Sequence, residues 1–238
     1  MESFKENVKS LLGIQLSEDH LAALRHYQNE LLEWNKQISL TAIRSVEGVQ
    51  TKHFLDSLTV LLAWERHGPP SRLVDVGAGA GFPGLVLKLV WPTAHVTLVE
   101  SVHKKADFCR HIVQELGLKG VTVLSERVEI VGQDPEYRQS FDLAVGRAVA
   151  RMPILMEYLL PLIHSNGVAM AMKGETAHSE TQAAEKAIHL MGGKLNKLVH
   201  VTLPGVVEER FIVVVEKVAQ TPEEYPRRIG VPAKNPIQ

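Results

Sequence analysis

Leu73-Val74-Asp75-Val76-Gly77-Ala78-Gly79-Ala80-Gly81-Phe82-Pro83-Gly84 is the stretch that decides the fold. Leu73, Val74 and Val76 are branched and apolar, which is the composition of a buried strand end. A carboxylate, Asp75, sits inside that run. The glycines that follow let the backbone turn tightly and approach a ligand closely. Pro83 suits the first turn of a helix, where its missing N–H costs nothing. Together these residues predict a first parallel strand whose end holds a nucleotide-like cofactor.

Strand and helix signals alternate from there onward. The pattern predicts strands over 73–76, 96–99, 121–124, 141–145 and 168–172, and helices over 83–90, 103–116, 154–160 and 176–191. Two last strands, 195–203 and 210–218, are joined through Pro204-Gly205 without a helix and read as an antiparallel hairpin at one edge. The expected fold is α/β, a Rossmann-like, mostly parallel sheet with helices on both faces. Upstream, Leu21, Leu24, Tyr27, Leu31 and Trp34 form one apolar helical stripe. A second helical run carries Leu55, Leu58, Leu61 and Leu62 and stops at Gly68-Pro69-Pro70. Residues 1–70 therefore read as a helical extension, 71–220 as the main domain, and 221–238, with Pro222, Pro226, Pro232 and Pro236, as an extended basic tail.

Bulk composition narrows the function. The chain has 238 residues, 45% hydrophobic and 22% charged, with a formal net charge of −1, so any nucleic-acid binding must come from local patches. A single cysteine, Cys109, excludes an intrachain disulfide and a paired-cysteine metal site. No apolar run approaches the roughly 18 residues of a membrane span, and the first residues lack the basic-then-apolar order of a signal peptide. The expectation is a cytoplasmic protein with no membrane partner and no metal.

Gly79-Ala-Gly81-Phe-Pro-Gly84 matches the dinucleotide fingerprint literally. Asp75 points elsewhere, since a buried carboxylate is unhelpful beside a pyrophosphate. S-adenosylmethionine has no phosphate and carries an ammonium group that an acid can orient, directly or through water. Glu100, at the end of the next strand, can accept hydrogen bonds from ribose hydroxyls in either cofactor. Asp75 and the Gly77-x-Gly79-x-Gly81 spacing resemble the first motif of class I S-adenosylmethionine-dependent methyltransferases.

The acceptor is read from the end of the fourth strand, Gly146-Arg147-Ala148. It lacks the Asn/Asp-Pro-Pro-aromatic motif used on exocyclic amines. Cys109 fits a helix core better than a nucleophile for pyrimidine carbon. Lys173 could serve a ribose 2′-hydroxyl, but the acid expected near Arg147 is missing. A guanine N7 needs no general base, because it carries no proton, and proximity and alignment suffice. A ribose hydroxyl or small-molecule acceptor, or a pure binding role, stays open at this level.

Further motifs go beyond a class. Trp34-Asn35-Lys36-x-x-Ser39-Leu40-Thr41, His53-Phe-Leu-Asp56-Ser57, Arg147-Ala-Val-Ala-Arg151, Met172-Lys173-Gly174 and Tyr225-Pro-Arg-Arg228 resemble the ribosomal small-subunit RNA methyltransferase G family, formerly glucose-inhibited division protein B. The resemblance covers nearly the whole chain. It implies a seven-stranded methyltransferase sheet and methylation of guanine-527 at N7, in the 530-loop (helix 18) of bacterial 16S rRNA. S-adenosylmethionine would be the cofactor and S-adenosylhomocysteine the product, with 16S rRNA or the small ribosomal subunit as partner; the enzyme itself is expected to be a monomer.

Carried over by position, cofactor contacts fall on Gly77, Phe82, Val128, Glu129 and Arg147, and the reading of the glycine loop and second strand adds Gly79 and Glu100. Ser39, Gly146 and Val128 depart from the family's usual residues. Charge and position nominate Asn35, Lys36, His53, Lys104, Lys105, Arg151, Lys173, Arg210, Arg227 and Arg228 for RNA, with Arg147, Lys173 and Asn35 as positioning candidates at the acceptor. Removing 221–238 is expected to weaken RNA binding and spare cofactor affinity.

Overall fold

The computed structural model describes residues 1–237. Its centre is a seven-stranded sheet: β1 (Arg72–Val76), β2 (His95–Val99), β3 (Val121–Leu124), β4 (Phe141–Arg147), β5 (Ile163–Lys173), β6 (Gly193–Val201) and β7 (Arg210–Lys217). The spatial order is β3-β2-β1-β4-β5-β7-β6. The first five strands pair in parallel, and β7 enters antiparallel between β5 and β6. The chain leaves β1 toward β2 and β3, then returns to β4 on β1's other side. That reversal opens a crevice at the C-terminal ends of β1 and β4, where open α/β sheets bind ligands.

Alternation along β1 sorts its side chains between two cores. Leu73 faces a core shared with α3 (Gly84–Val90) and α4 (His103–Glu115), through Leu85, Leu87, Phe108 and Ile112. Val74 and Val76 face the other, with α5 (Val128–Val131) and α6 (Met152–Leu159), through Val128, Leu155 and Leu159. Asp75, on Leu73's side, is fully buried and reaches the start of α3, where its Oδ2 accepts from Gly84 N at 2.7 Å.

Residues 1–70 pack on the first core. The helices are α1 (Glu2–Leu12) and α2 (Glu18–Trp34). A capping box starts α2: Ser17 Oγ accepts from His20 N, and the His20 ring accepts from Ser17 N, both at 3.2 Å. The α2 stripe buries Leu21, Leu24, Tyr27 and Leu31. The second helical run, 46–63, is interrupted by a π turn over Gln50–Leu55. Such a wide turn re-aims side chains and favours functional sites; here it carries Lys52 and His53 and is followed directly by Asp56. Among the described residues no helix is long and apolar enough to cross a membrane.

Three expectations shift. β4 runs on to Arg147 instead of stopping at 145, because Gly146 and Arg147 still pair with Ala171 and Met172. The helix expected over 176–191 breaks at Ala184 into α7 (Ala177–Ala183) and α8 (Glu185–Leu190). The segment expected as an extended basic tail lies against the body. Pro226 and Pro232 are buried, and it closes in a short helix, α9 (Val231–Lys234). Its prolines and one arginine have partners on the body, and that docking suits a chain stretch that cannot ladder into the sheet.

Candidate functional site

A cleft of about 650 Å³ opens at the C-terminal ends of β1 and β4. Its floor is the glycine loop after β1. Gly77, Gly79 and Gly81 have φ of 69°, 59° and 88°, the left-handed region that glycine enters freely. Their surroundings differ. A Cβ on Gly81 would lie 2.5 Å from both Leu85 Cδ1 and Tyr27 Oη, whereas one on Gly79 meets only Gly77 O, at 4.0 Å. Gly81 is thus fixed by packing, and Gly79 faces open space in the cleft.

Two acids flank the loop with different tasks. The carboxylate of Glu100, at the end of β2, accepts from Gly79 N at 2.8 Å and Val102 N at 2.7 Å. Each oxygen keeps acceptor capacity for a hydroxyl group. Asp75 does not line the cleft; one oxygen holds Gly84 N and the other, Oδ1, is buried without a protein partner. Burial pushes its pKa up to about 7, against the pull of the Gly84 N–H and Arg147. The sequence reading aimed this acid at the cofactor; the structure uses it first to anchor α3 to the loop.

Arg147, the last residue of β4, is the hub of the opposite wall. Its Nη1 donates to Asp56 Oδ2 at 2.8 Å and Lys52 O at 3.1 Å, and Nη2 donates to His53 Nδ1 at 3.1 Å. Its guanidinium also lies 5.3 Å from the Phe82 ring centroid. Phe82 is stacked between His53, at 4.6 Å, and Tyr27, at 5.3 Å. Tyr27 Oη donates to Ala80 O, so α2 reaches the glycine loop directly.

Burial and the neighbouring Arg147 lower the His53 pKa to about 3. The imidazole is neutral, its Nδ1 accepts from Arg147, and its Nε2–H therefore donates to Thr41 Oγ1 at 2.7 Å. Thr41 is itself held by Asn35, whose Oδ1 accepts from Leu40 N and Thr41 N and whose Nδ2 donates to Thr41 O. The chain Asn35–Thr41–His53–Arg147 transmits the geometry of the extension to the cleft. An unfolded chain protonates this histidine near pH 6.5 and the folded chain only near 3, so stability falls as pH drops through that window. His53→Gln should flatten that part of the stability–pH curve, measured by urea unfolding at successive pH values.

The remaining nominated residues divide by position. Lys105, Lys173 and Arg210 line the cleft with Gly77, Gly79, Phe82, Glu100, His53 and Arg147. Lys173 Nζ bonds Ala150 O at 2.8 Å and pairs with Glu180 at 2.6 Å. Burial resists ionisation of Glu180, but Lys173, Thr176 and the Met152 N–H together hold its pKa below the usual range. Arg210 Nε lies 3.8 Å from Asp56 Oδ1. Lys36, Lys104, Arg151 and Arg228 are exposed and do not line the cleft, with Lys36 paired to Glu33. Val128 and Glu129 sit buried at the turn after β3. Arg227 was nominated for RNA, but the structure places its guanidinium on Glu157, which is fully buried. Asn35 does not line the cleft and acts on it through Thr41.

Sequence reasoning did not nominate Lys52, Thr41 or Asp56 as cleft residues. The available signal was the i, i+3 spacing of His53 and Asp56, which puts both on one helical face. Lys52, Lys105, Arg147, Lys173 and Arg210 stand against Asp56 and Glu100, with Glu208 on Lys52 and Glu180 on Lys173, so the cleft keeps one positive charge in excess and slightly favours an anionic ligand.

Residues 20–210 match the model of a family described as rRNA small subunit methyltransferase G. A protein of Roseiflexus castenholzii named "Ribosomal RNA small subunit methyltransferase G" is 47% identical over 225 residues, 94% of this chain and 95% of its own length. A protein of Lactococcus lactis subsp. lactis with the same name is 42% identical, covering 94% of each chain. Among solved structures, geranyl diphosphate C-methyltransferase from Streptomyces coelicolor, in complex with Mg2+, geranyl diphosphate and S-adenosyl-L-homocysteine, aligns with a TM-score of 0.54 at 12% identity. That alignment covers 69% of this chain and 79% of that one. A variant of MtNAS in complex with S-adenosylmethionine gives 0.56 at 19% identity, covering 83% and 73%. At these identities the structural likeness is one of fold.

Proposed function

The chain belongs to the rRNA small subunit methyltransferase G family, and from that premise we propose that its cleft methylates N7 of guanine-527 in 16S rRNA with S-adenosylmethionine. The work would be done by a monomer, in the cytoplasm, on the small ribosomal subunit or its RNA. When bound, the cofactor supplies a methyl group on a positively charged sulfur.

The residues present fit that group. Gly79 presents open backbone where a side chain would intrude, and Glu100 offers carboxylate acceptors beside it for ribose hydroxyls. The Val128–Glu129 turn follows β3 on the same edge of the sheet without lining the cleft itself, and the family resemblance assigns it to the adenine. Phe82 and Arg147 close the loop side.

The observation that supports the choice of acceptor is that three of the cleft's acid–base groups, His53, Asp56 and Lys173, are already engaged. Both nitrogens of His53 are bonded, Asp56 is paired with Arg147, and Lys173 is held by Glu180 and Ala150 O. A ribose hydroxyl needs a base to take its proton, and Lys173 is not free to be one. Guanine N7 attacks with a lone pair and loses no proton, so alignment is enough. Lys52, Lys105 and Arg210 at the mouth draw phosphates, and the Arg147 guanidinium fixes the wall against which the base is oriented.

The test is mass mapping of 16S rRNA from cells lacking this protein. The 530-loop is expected to lose its 7-methylguanosine. Retention of that nucleoside would sink the proposal.

A further inference from the structure

The segment after β7 grips one small element beside the cleft. Lys217, fully buried at the end of β7, donates from Nζ to Leu160 O and Met191 O at 2.8 Å and to Thr221 Oγ1, which fixes where the segment departs. Arg138 Nη2 then donates to Thr221 O and Pro222 O at 3.0 Å, while Nη1 bridges Tyr225 O at 2.5 Å and Gly132 O at 3.0 Å. Gln133 Nε2 donates to Pro226 O at 2.9 Å. Pro226 lies on Gly132, where an added Cβ would come within 2.7 Å of the proline ring. Arg227 forks onto the buried Glu157 at 2.9 and 2.6 Å. Gly230 N finally donates to Glu129 Oε1 at 3.0 Å.

Most of these grips converge on α5 and the residues just after it. α5 has four residues, too few for a helix to hold itself by its own ladder. It opens on Val128 and Glu129, at the C-terminal edge of β3. Val128 shares a core cluster with Val76 and Val99, the last residues of β1 and β2. The turn before α5 touches the start of α4 through Ser125 Oγ and His103 Nδ1, 2.6 Å apart. The position of α5 is therefore set from the far side by the C-terminal segment.

We propose that the C-terminal segment is a brace: by holding Glu129 and Gly132 it places the Val128–Glu129 turn and so sets the affinity for the adenosyl part of the cofactor. This rests on the cofactor reading above. Glu129 is a positioning residue, with its carboxylate turned to Gly230 and Tyr158.

The test is calorimetry with S-adenosylmethionine on the full chain and on a chain ending at Arg228. That truncation removes the Gly230 contact, which leaves the buried Glu129 carboxylate only the Tyr158 hydroxyl at 3.4 Å, and keeps the Arg227–Glu157 pair. Gln133→Ala is the milder second variant, and circular dichroism checks that both are folded. The truncated chain is expected to bind the cofactor roughly tenfold more weakly, a typical coupling between sites. Its KM for the cofactor should rise in step, with kcat at saturating cofactor and KM for 16S rRNA unchanged. Gln133→Ala should shift the same two quantities in the same direction by a smaller factor. Unchanged cofactor affinity in both folded variants would overturn the brace while leaving the cofactor reading intact. Weaker RNA binding with unchanged cofactor affinity would overturn it in favour of an RNA-binding arm. A full chain that does not bind S-adenosylmethionine would remove both.

Discussion

Arg147→Ala is expected to cost about 3 kcal/mol of stability and to lower methyl transfer at least a hundredfold. The stability loss follows from what the guanidinium leaves behind. Asp56 is 6% exposed, and without Arg147 its nearest cation is Arg210 Nε at 3.8 Å, beyond hydrogen-bond reach. Breaking a buried pair by removing one partner costs far more than the pair itself contributes, because a charge is left uncompensated. His53 Nδ1 would lose its donor at the same time. The loss of transfer follows from position. Arg147 joins β4 to the π turn of the extension and to the face of Phe82, so its removal loosens three walls of the cleft at once. Displacements of about 1 Å at a reacting centre cost rates of this order. Arg147→Lys keeps the charge and loses the fork, and should recover more stability than activity. Urea unfolding and steady-state methylation, run on the same preparations, separate the two effects. Wild-type kcat/KM in a folded Arg147→Ala protein would refute the assignment.

Gly81→Ala and Gly79→Ala are expected to fail in opposite ways. Both force a side chain into the left-handed region, at about 1–2 kcal/mol. At Gly81 the new methyl also meets Leu85 and Tyr27 at 2.5 Å, and Tyr27 is fully buried and bonded to the loop. Overpacking adds about 1–3 kcal/mol there, so this variant should be strongly destabilised, with α2 displaced from the loop. At Gly79 the methyl finds room but stands in the cleft. That variant should stay folded and lose S-adenosylmethionine affinity by a factor of ten or more, roughly what a misplaced methyl costs in a tight pocket. Thermal melts and calorimetry on the pair give the answer. A stable Gly81→Ala with a destabilised Gly79→Ala would contradict the loop's reading.

The contrast shows how much of this molecule was legible before its structure. Asp75 inside an apolar strand, followed by spaced glycines, placed β1, the loop and α3 correctly, because each is a local device with its own steric signature. The rest of the parallel sheet followed from the alternation of apolar periods, and the closing hairpin from Pro204-Gly205. The partners of Arg147 were not legible: Lys52, His53 and Asp56 lie more than 90 residues upstream. No spacing rule connects a π turn in the extension to the end of β4. The π turn itself was hidden because Leu55, Leu58 and Leu61 keep a helical period past the slip. Residues 221–238 were misread for a related reason. Prolines and arginines look the same in a solvated tail and in a docked strap. Only the fully buried Glu157, distant in sequence, shows that Arg227 is spent on the protein itself.

The most direct measurement is transfer of a labelled methyl group from S-adenosylmethionine to 16S rRNA by the purified chain. It would be run on naked RNA, partly assembled subunits and whole small subunits, with the product mapped by mass spectrometry. One methyl group is expected on guanine-527, at N7, in at least one of the three. Label on a ribose, on another base or on no RNA form would contradict it.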